Sequence, residues 1–207
     1  MQKVLILIIN IVLKIVAVLP LRVWFFISSY LIFPLLFYIL KYRKEVVFNN
    51  LRNSFPNKSE KEISEIALKF YKYLADNIVE TLKSFNISEE ELNKRISLKN
   101  PELLEKYFSE GKNMMLSVGH LGNYEWFGSI LSKKTIYKVL VPYRKLTSPI
   151  GEEVMKANRS KFGTIVFPTL ETAQKLKKKY DKPYLLFMAN DQSAHPYKSY
   201  WTRFLNQ

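Results

Sequence analysis

Residues 23–40 carry no charged side chain. An uncharged, mostly apolar run of about 18 residues reaches the length of a helix that crosses the bilayer core. Such a segment must be given to a membrane or enclosed in a helical hairpin. A second apolar stretch, residues 4–19, precedes it and is broken by Asn10 and Lys14, while Pro20 and Arg22 separate the two. Lys41, Arg43 and Lys44 follow directly, and Trp24, Tyr30, Tyr38 and Tyr42 supply rings suited to a membrane–water boundary. A cleaved signal peptide does not fit. The apolar region is too long, no small-residue cleavage site closes it, and a basic cluster ends it. Membrane attachment is therefore expected, with the basic flank on the cytoplasmic face of the inner membrane. Whether residues 4–19 span, lie in the interface or pair with the second stretch stays open at this level.

The formal net charge of +14 favours an anionic partner. Charge alone would admit a nucleic acid, but no nucleic-acid-binding motif accompanies it, so none is expected as a partner. The chain has no cysteine, which excludes disulfides, a thiol nucleophile and Cys-ligated metal. Two histidines without HExxH-like spacing give no metal site.

After the basic stretch "YRKEVVFNNLRNSFPNKSEKEI", Pro56 and Asn57 mark a turn, and Ser59 with Glu62 reads as a capping box. Apolar residues from Ile63 to Leu82 recur at helical spacing, predicting a helix to about Ser84, with Phe70, Tyr71 and Tyr73 as a core stripe. From Asn100 the pattern alternates helix and strand. Asn100 caps a helix, Pro101 fits its first turn and Gly111 stops it. "NMMLSVG" and "PYLLFMAN" read as buried strands, "TIYKVLVPYR" as a strand ending at Pro142, and "TIVFP" as a strand. "NYEWFGSILS" and "SPIGEEVMKANRSKFG" read as helices. "LETAQKLKKKY" reads as one carrying Lys177, Lys178 and Lys179 in its last turn, and "DQSAHPYKSY" as a loop. The alternation predicts an α/β fold with a mixed, largely parallel sheet covered by helices. Three regions are expected: a membrane anchor with its basic flank (1–44), a helical connector (45–99) and an α/β catalytic domain (100–207). The chain ends at "FLNQ" directly after a loop, so further strands and helices are expected beyond it.

"SVGHLGNYEW" holds His120 and, five positions on, Glu125. On one straight helix they would lie ~140° apart and could not meet. They can meet if His120 ends a strand, Gly119 and Gly122 allow a tight turn, and Glu125 opens the next helix. That turn would leave main-chain N–H groups at a helix N-terminus, a seat for an oxyanion. A neutral histidine with a carboxylate on its other nitrogen is a general base for a hydroxyl, so acyl transfer needs no serine or cysteine nucleophile. The spacing alone does not lift catalysis above a core or surface histidine.

The stretch from "YRKEVVFNN" to "ETLKSF", followed in order by "GHLGNYEW", "VPYR", "SKFG" and "MANDQS", resembles the late (secondary) acyltransferases of lipid A biosynthesis, within the wider glycerolipid and lysophospholipid acyltransferase group. The resemblance covers nearly the whole chain. It implies a glycerolipid acyltransferase-like fold and transfer of an acyl chain from acyl carrier protein or coenzyme A to a hydroxyl of an anionic membrane lipid. For lipid A that hydroxyl belongs to a 3-hydroxyacyl chain already on the disaccharide. The thioester is a co-substrate, and no cofactor is implied. Carried over, His120 is the general base and Glu125 orients it, while Arg144 matches a basic position associated with the acceptor's phosphate. Gly122 and Asn123 are candidates for shaping the turn or the oxyanion site, and Asp191 and Gln192 match an acidic loop after a strand. Arg159 and Lys161 are secondary candidates for binding an anionic group, and His195 reads as a surface residue. A lysophospholipid or aminoacyl-lipid acceptor, and a catalytically inactive membrane-associated paralogue or fragment, are the alternatives.

Overall fold

A computed structural model describes residues 2–192, 197 and 200–205. Its helices are α1 (Gln2–Val16), α2 (Leu21–Ile27) continued by π-helical turns Ser28–Ile32 and Leu35–Ile39, α3 (Lys44–Ser54), α4 (Glu60–Lys83), α5 (Glu89–Arg95) and α6 (Pro101–Ser109). Then β1 (Met114–Val118), α7 (Tyr124–Lys134), β2 (Lys138–Tyr143), α8 (Pro149–Ser160), β3 (Ile165–Pro168), α9 (Thr172–Lys177) and β4 (Tyr184–Ala189) alternate. Contacts group the chain into two units, one holding Met1–Val18 with Ser84–Gln192 and one built on Leu19–Lys83.

The first unit carries a four-stranded sheet in the order β1-β4-β2-β3. Every strand pairing among the described residues is parallel. Parallel strands need crossovers, and the intervening helices supply them. On one face Val139, Leu185 and Phe187 pack with Leu131 of α7 and Leu104 and Phe108 of α6. On the other Leu140, Leu186 and Phe167 pack with Leu176 of α9. Both faces of the inner strands are thus covered, which is why "YLLFMA" is an unbroken apolar run.

Four local expectations in this unit need correction. β1 is not buried; it is an edge strand whose residues alternate between half-buried and exposed, and Met115 is exposed. β2 does not stop at Pro142 but runs through it to Tyr143. Its ladder to β4 reaches only Leu140, so a proline without an N–H is tolerated beyond that point. α9 ends at Lys177, leaving Lys178 and Lys179 outside it. Tyr180 folds back there, its hydroxyl donating to the Lys175 carbonyl. Asn100 occupies the cap position of α6 in left-handed backbone (φ 56°) and makes no side-chain cap bond.

In the second unit, the Ser59–Glu62 capping box forms in both directions, and α4 runs to Lys83. Of the aromatic stripe only Tyr71 is core, whereas Phe70 and Tyr73 are exposed. Neighbours at ~100° per residue cannot all face inward. Leu21–Ile39 is the single helix among the described residues long and apolar enough to cross a membrane. Its buried residues are Leu21, Trp24, Ser28, Phe33, Leu36 and Phe37. The step from Ser28 to Phe33 is five residues, wider than an α-turn, and the first π-turn absorbs it. Pro34, which lacks an N–H, sits between the two π-turns. Tyr71 and Ala75 of α4 pack on Phe33, Leu36 and Phe37.

Candidate active site

Each parallel strand delivers a residue to the same end of the sheet. Val118 of β1 pairs in register with Ala189 of β4, so His120 and Asp191, each two residues past its strand, emerge opposite one another. Arg144 follows the last residue of β2, and Thr169 follows β3. The carboxyl ends of parallel strands are where open α/β sheets hold ligands.

The loops are locked together there. The His120 backbone N–H donates to Asp191 Oδ2 (2.7 Å), and His120 Nδ1 lies 2.5 Å from Asp191 Oδ1. The Asn190 N–H donates to the Val118 carbonyl (3.2 Å). Gly119 allows this approach: a Cβ on it would stand 3.2 Å from Asp191 Oδ2. Gly122 serves the turn differently, by its positive φ of 65°. Asn123 caps α7, its Oδ1 accepting from the Trp126 N–H (2.9 Å). That bond occupies one of the main-chain donors expected to receive an oxyanion.

Glu125 opens α7 but does not take the partner expected from its spacing. Both its oxygens are engaged by Arg159 from the last turn of α8, at 2.8 Å from Nε and 2.5 Å from Nη2. The carboxylate bonded to His120 is Asp191, 71 positions away. The reason is topological. β4 lies beside β1, whereas the first turn of α7 packs toward α8.

A cleft of about 320 Å³ opens here, lined among others by His120, Tyr124, Glu125, Arg144, Arg159 and Gln192, with Phe187 and Val166 as apolar wall. Gly122, Asn123 and Asp191 are not part of its lining. The sequence pattern described as bacterial lipid A biosynthesis acyltransferase matches residues 1–207.

The chain belongs to the bacterial lipid A biosynthesis acyltransferase family.

It is therefore an acyltransferase, and the family acts on an acyl thioester donor and a lipid acceptor and is membrane-associated. Among curated proteins, none matches the chain. In this family member the electrostatics of the cleft follow from its pairings. Hydrogen bonds from the ring and backbone of His120 hold the Asp191 carboxyl below its usual range. Burial would lower the Arg159 guanidinium, but the hydrogen bond and charge of Glu125 outweigh it and hold it above its usual value. Arg159 also lies over the Tyr143 ring (5.6 Å). The Tyr143 hydroxyl donates to Glu152, and burial together with that carboxylate pushes it up to about 12.

Lys161 does not reach the cleft. Its ammonium donates to the Ser84 and Ile87 carbonyls, and burial, with the charge of Lys14, pushes it down to about 8. His195 lies outside the described residues. Nothing in the sequence marks Tyr143, a tyrosine at a strand end, or its partner Glu152. The partnership of Asp191 with His120 had one available signal. Each stands two residues beyond an apolar strand, and adjacent parallel strands would set them side by side.

Proposed function

We propose that the protein moves a fatty acyl chain from an acyl thioester to a hydroxyl of a lipid A precursor at the cytoplasmic face of the inner membrane. The observation that carries this reading is the His120–Asp191 pair at the mouth of a cleft that also holds Arg144 and Arg159. An ionised carboxylate only accepts, so the proton between them sits on Nδ1, leaving Nε2 as the basic nitrogen. Nε2 takes the proton of the acceptor hydroxyl as its oxygen attacks the thioester carbonyl. The C–O bond forms, the C–S bond breaks, and His120 returns the proton to the departing thiolate. Asp191 keeps the ring oriented and stabilises the imidazolium between the two transfers. Glu125 serves the site through Arg159, holding a fork-shaped cation in the cleft wall. Arg159 and Arg144 supply positive charge for the acceptor's phosphate, with Gln192 at the rim. Gly122 and Asn123 set the turn that carries His120. The donor is acyl carrier protein or coenzyme A thioester, and no cofactor takes part.

The test is acyl transfer by membranes containing the protein, combined with mass spectrometry of extracted lipids. His120→Ala should lower turnover by roughly 10²–10⁴, and a deletion strain should lose one acyl chain from lipid A. Wild-type turnover in His120→Ala rejects the base assignment. Loss of an acyl chain from a phospholipid instead rejects the acceptor.

A further inference from the structure

Leu21–Ile39 has a fixed companion. Three hydrogen bonds tie its surroundings to α4 from end to end. Lys83 Nζ donates to the Leu19 carbonyl (3.2 Å), Ser28 Oγ to Asp76 Oδ1 (2.5 Å), and the Tyr71 hydroxyl to the Tyr42 carbonyl (2.6 Å). Residues 71–83 therefore run antiparallel beside residues 19–42, and any depth taken by one segment is taken by both. That part of α4 carries Lys72, Asp76, Glu80 and Lys83. Lipid hydrocarbon rejects such side chains, so a helix joined to them along its length cannot cross the bilayer without them.

The opposite side of the same helix is apolar and uncovered. Phe26, Tyr30, Leu31, Tyr38 and Ile39 are 59% to 72% exposed. A helix buried on one side by an amphipathic partner and bare on the other is built to lie at an interface. The π-turns fit this arrangement. By absorbing the five-residue step they keep Ser28, Phe33 and Leu36 on the α4 side, leaving the outer side free for lipid. Arg22 stands at one end and Lys41, Arg43 and Lys44 at the other, where they meet anionic headgroups.

We propose that residues 21–39 do not span the membrane but lie in the plane of one anionic leaflet, apolar face down, with α4 packed on their water side. This rests on the membrane-bound reading above and adds to it that both ends of the helix stay on one side.

The absence of cysteine makes the test clean, because the wild-type chain supplies an unlabelled background. Full-length Arg22→Cys and Lys41→Cys variants are placed in inverted inner-membrane vesicles, cytoplasmic face outward, and treated with a membrane-impermeant maleimide. Both positions should label equally, and neither should label in sealed spheroplasts. Labelling of the two ends from opposite sides overturns the proposal. Val23→Cys and Tyr42→Cys repeat the comparison should either first variant fail to accumulate. A bimane on Leu31→Cys should be quenched by nitroxide-bearing lipid at least several-fold more than one on Lys72→Cys, and equal quenching also overturns it. Wild-type protein that washes off the vesicles into the soluble fraction overturns the membrane-bound reading itself, and this proposal with it.

Discussion

Gly119→Ala tests the site through a single methyl group. The added Cβ would stand 3.2 Å from Asp191 Oδ2, a contact relieved only when the carboxylate retreats by a few tenths of an ångström. That oxygen accepts from the His120 backbone at 2.7 Å, and its twin contacts His120 Nδ1 at 2.5 Å, so the displacement passes to the imidazole. A misplacement of ~1 Å costs about 10²-fold in rate, so a retreat of ~0.2–0.4 Å should cost about 3- to 6-fold in kcat. The Asp191 side chain is 46% exposed and can also swing into solvent. The loss would then approach the ~10²–10⁴ of a disabled general base. Gly122→Ala is the control. Its Cβ would meet nothing within 4 Å, but φ is 65°. That variant should lose roughly 1–2 kcal/mol of stability through backbone strain, with a smaller effect on kcat. The assay is steady-state acyl transfer across pH, beside thermal unfolding of both variants. If Gly119→Ala keeps wild-type kcat and an unchanged pH–rate profile, His120 and Asp191 are not the working pair.

Two further perturbations separate the roles of neighbouring charges. Glu125→Gln strands the mostly buried Arg159 guanidinium; with side chains still 16% and 22% exposed, the stability loss should fall at the lower end of ~3–5 kcal/mol. The acceptor KM should rise while the acid limb of the pH–rate profile stays in place, and a displaced limb would instead make Glu125 the partner of His120. Lys161 is pushed down to about 8 in the folded protein by burial, with Lys14 adding to the effect. Between about pH 8 and its unfolded value near 10.4 the unfolded chain therefore binds more protons, so this group makes stability rise with pH across that window. Lys161→Met should flatten the rise in unfolding midpoint, and parallel curves for variant and wild type would contradict the assignment.

Local pattern determined much of this protein from the sequence alone. The capping box at Ser59, the periodicity of α4, the positions of the four strands and the break between His120 and Glu125 are all read within short windows, because helix and strand periods and turn chemistry are local. The family was legible for a similar reason: its motifs are short and ordered along the chain. Two kinds of fact needed the tertiary structure. Strand order set Asp191 rather than Glu125 against His120, since the placement of β4 beside β1 joins residues 71 apart and no window spans that distance. Packing against α4 changed the meaning of the apolar helix. Composition measures how apolar a segment is, but only its neighbours decide which of its faces remains for lipid.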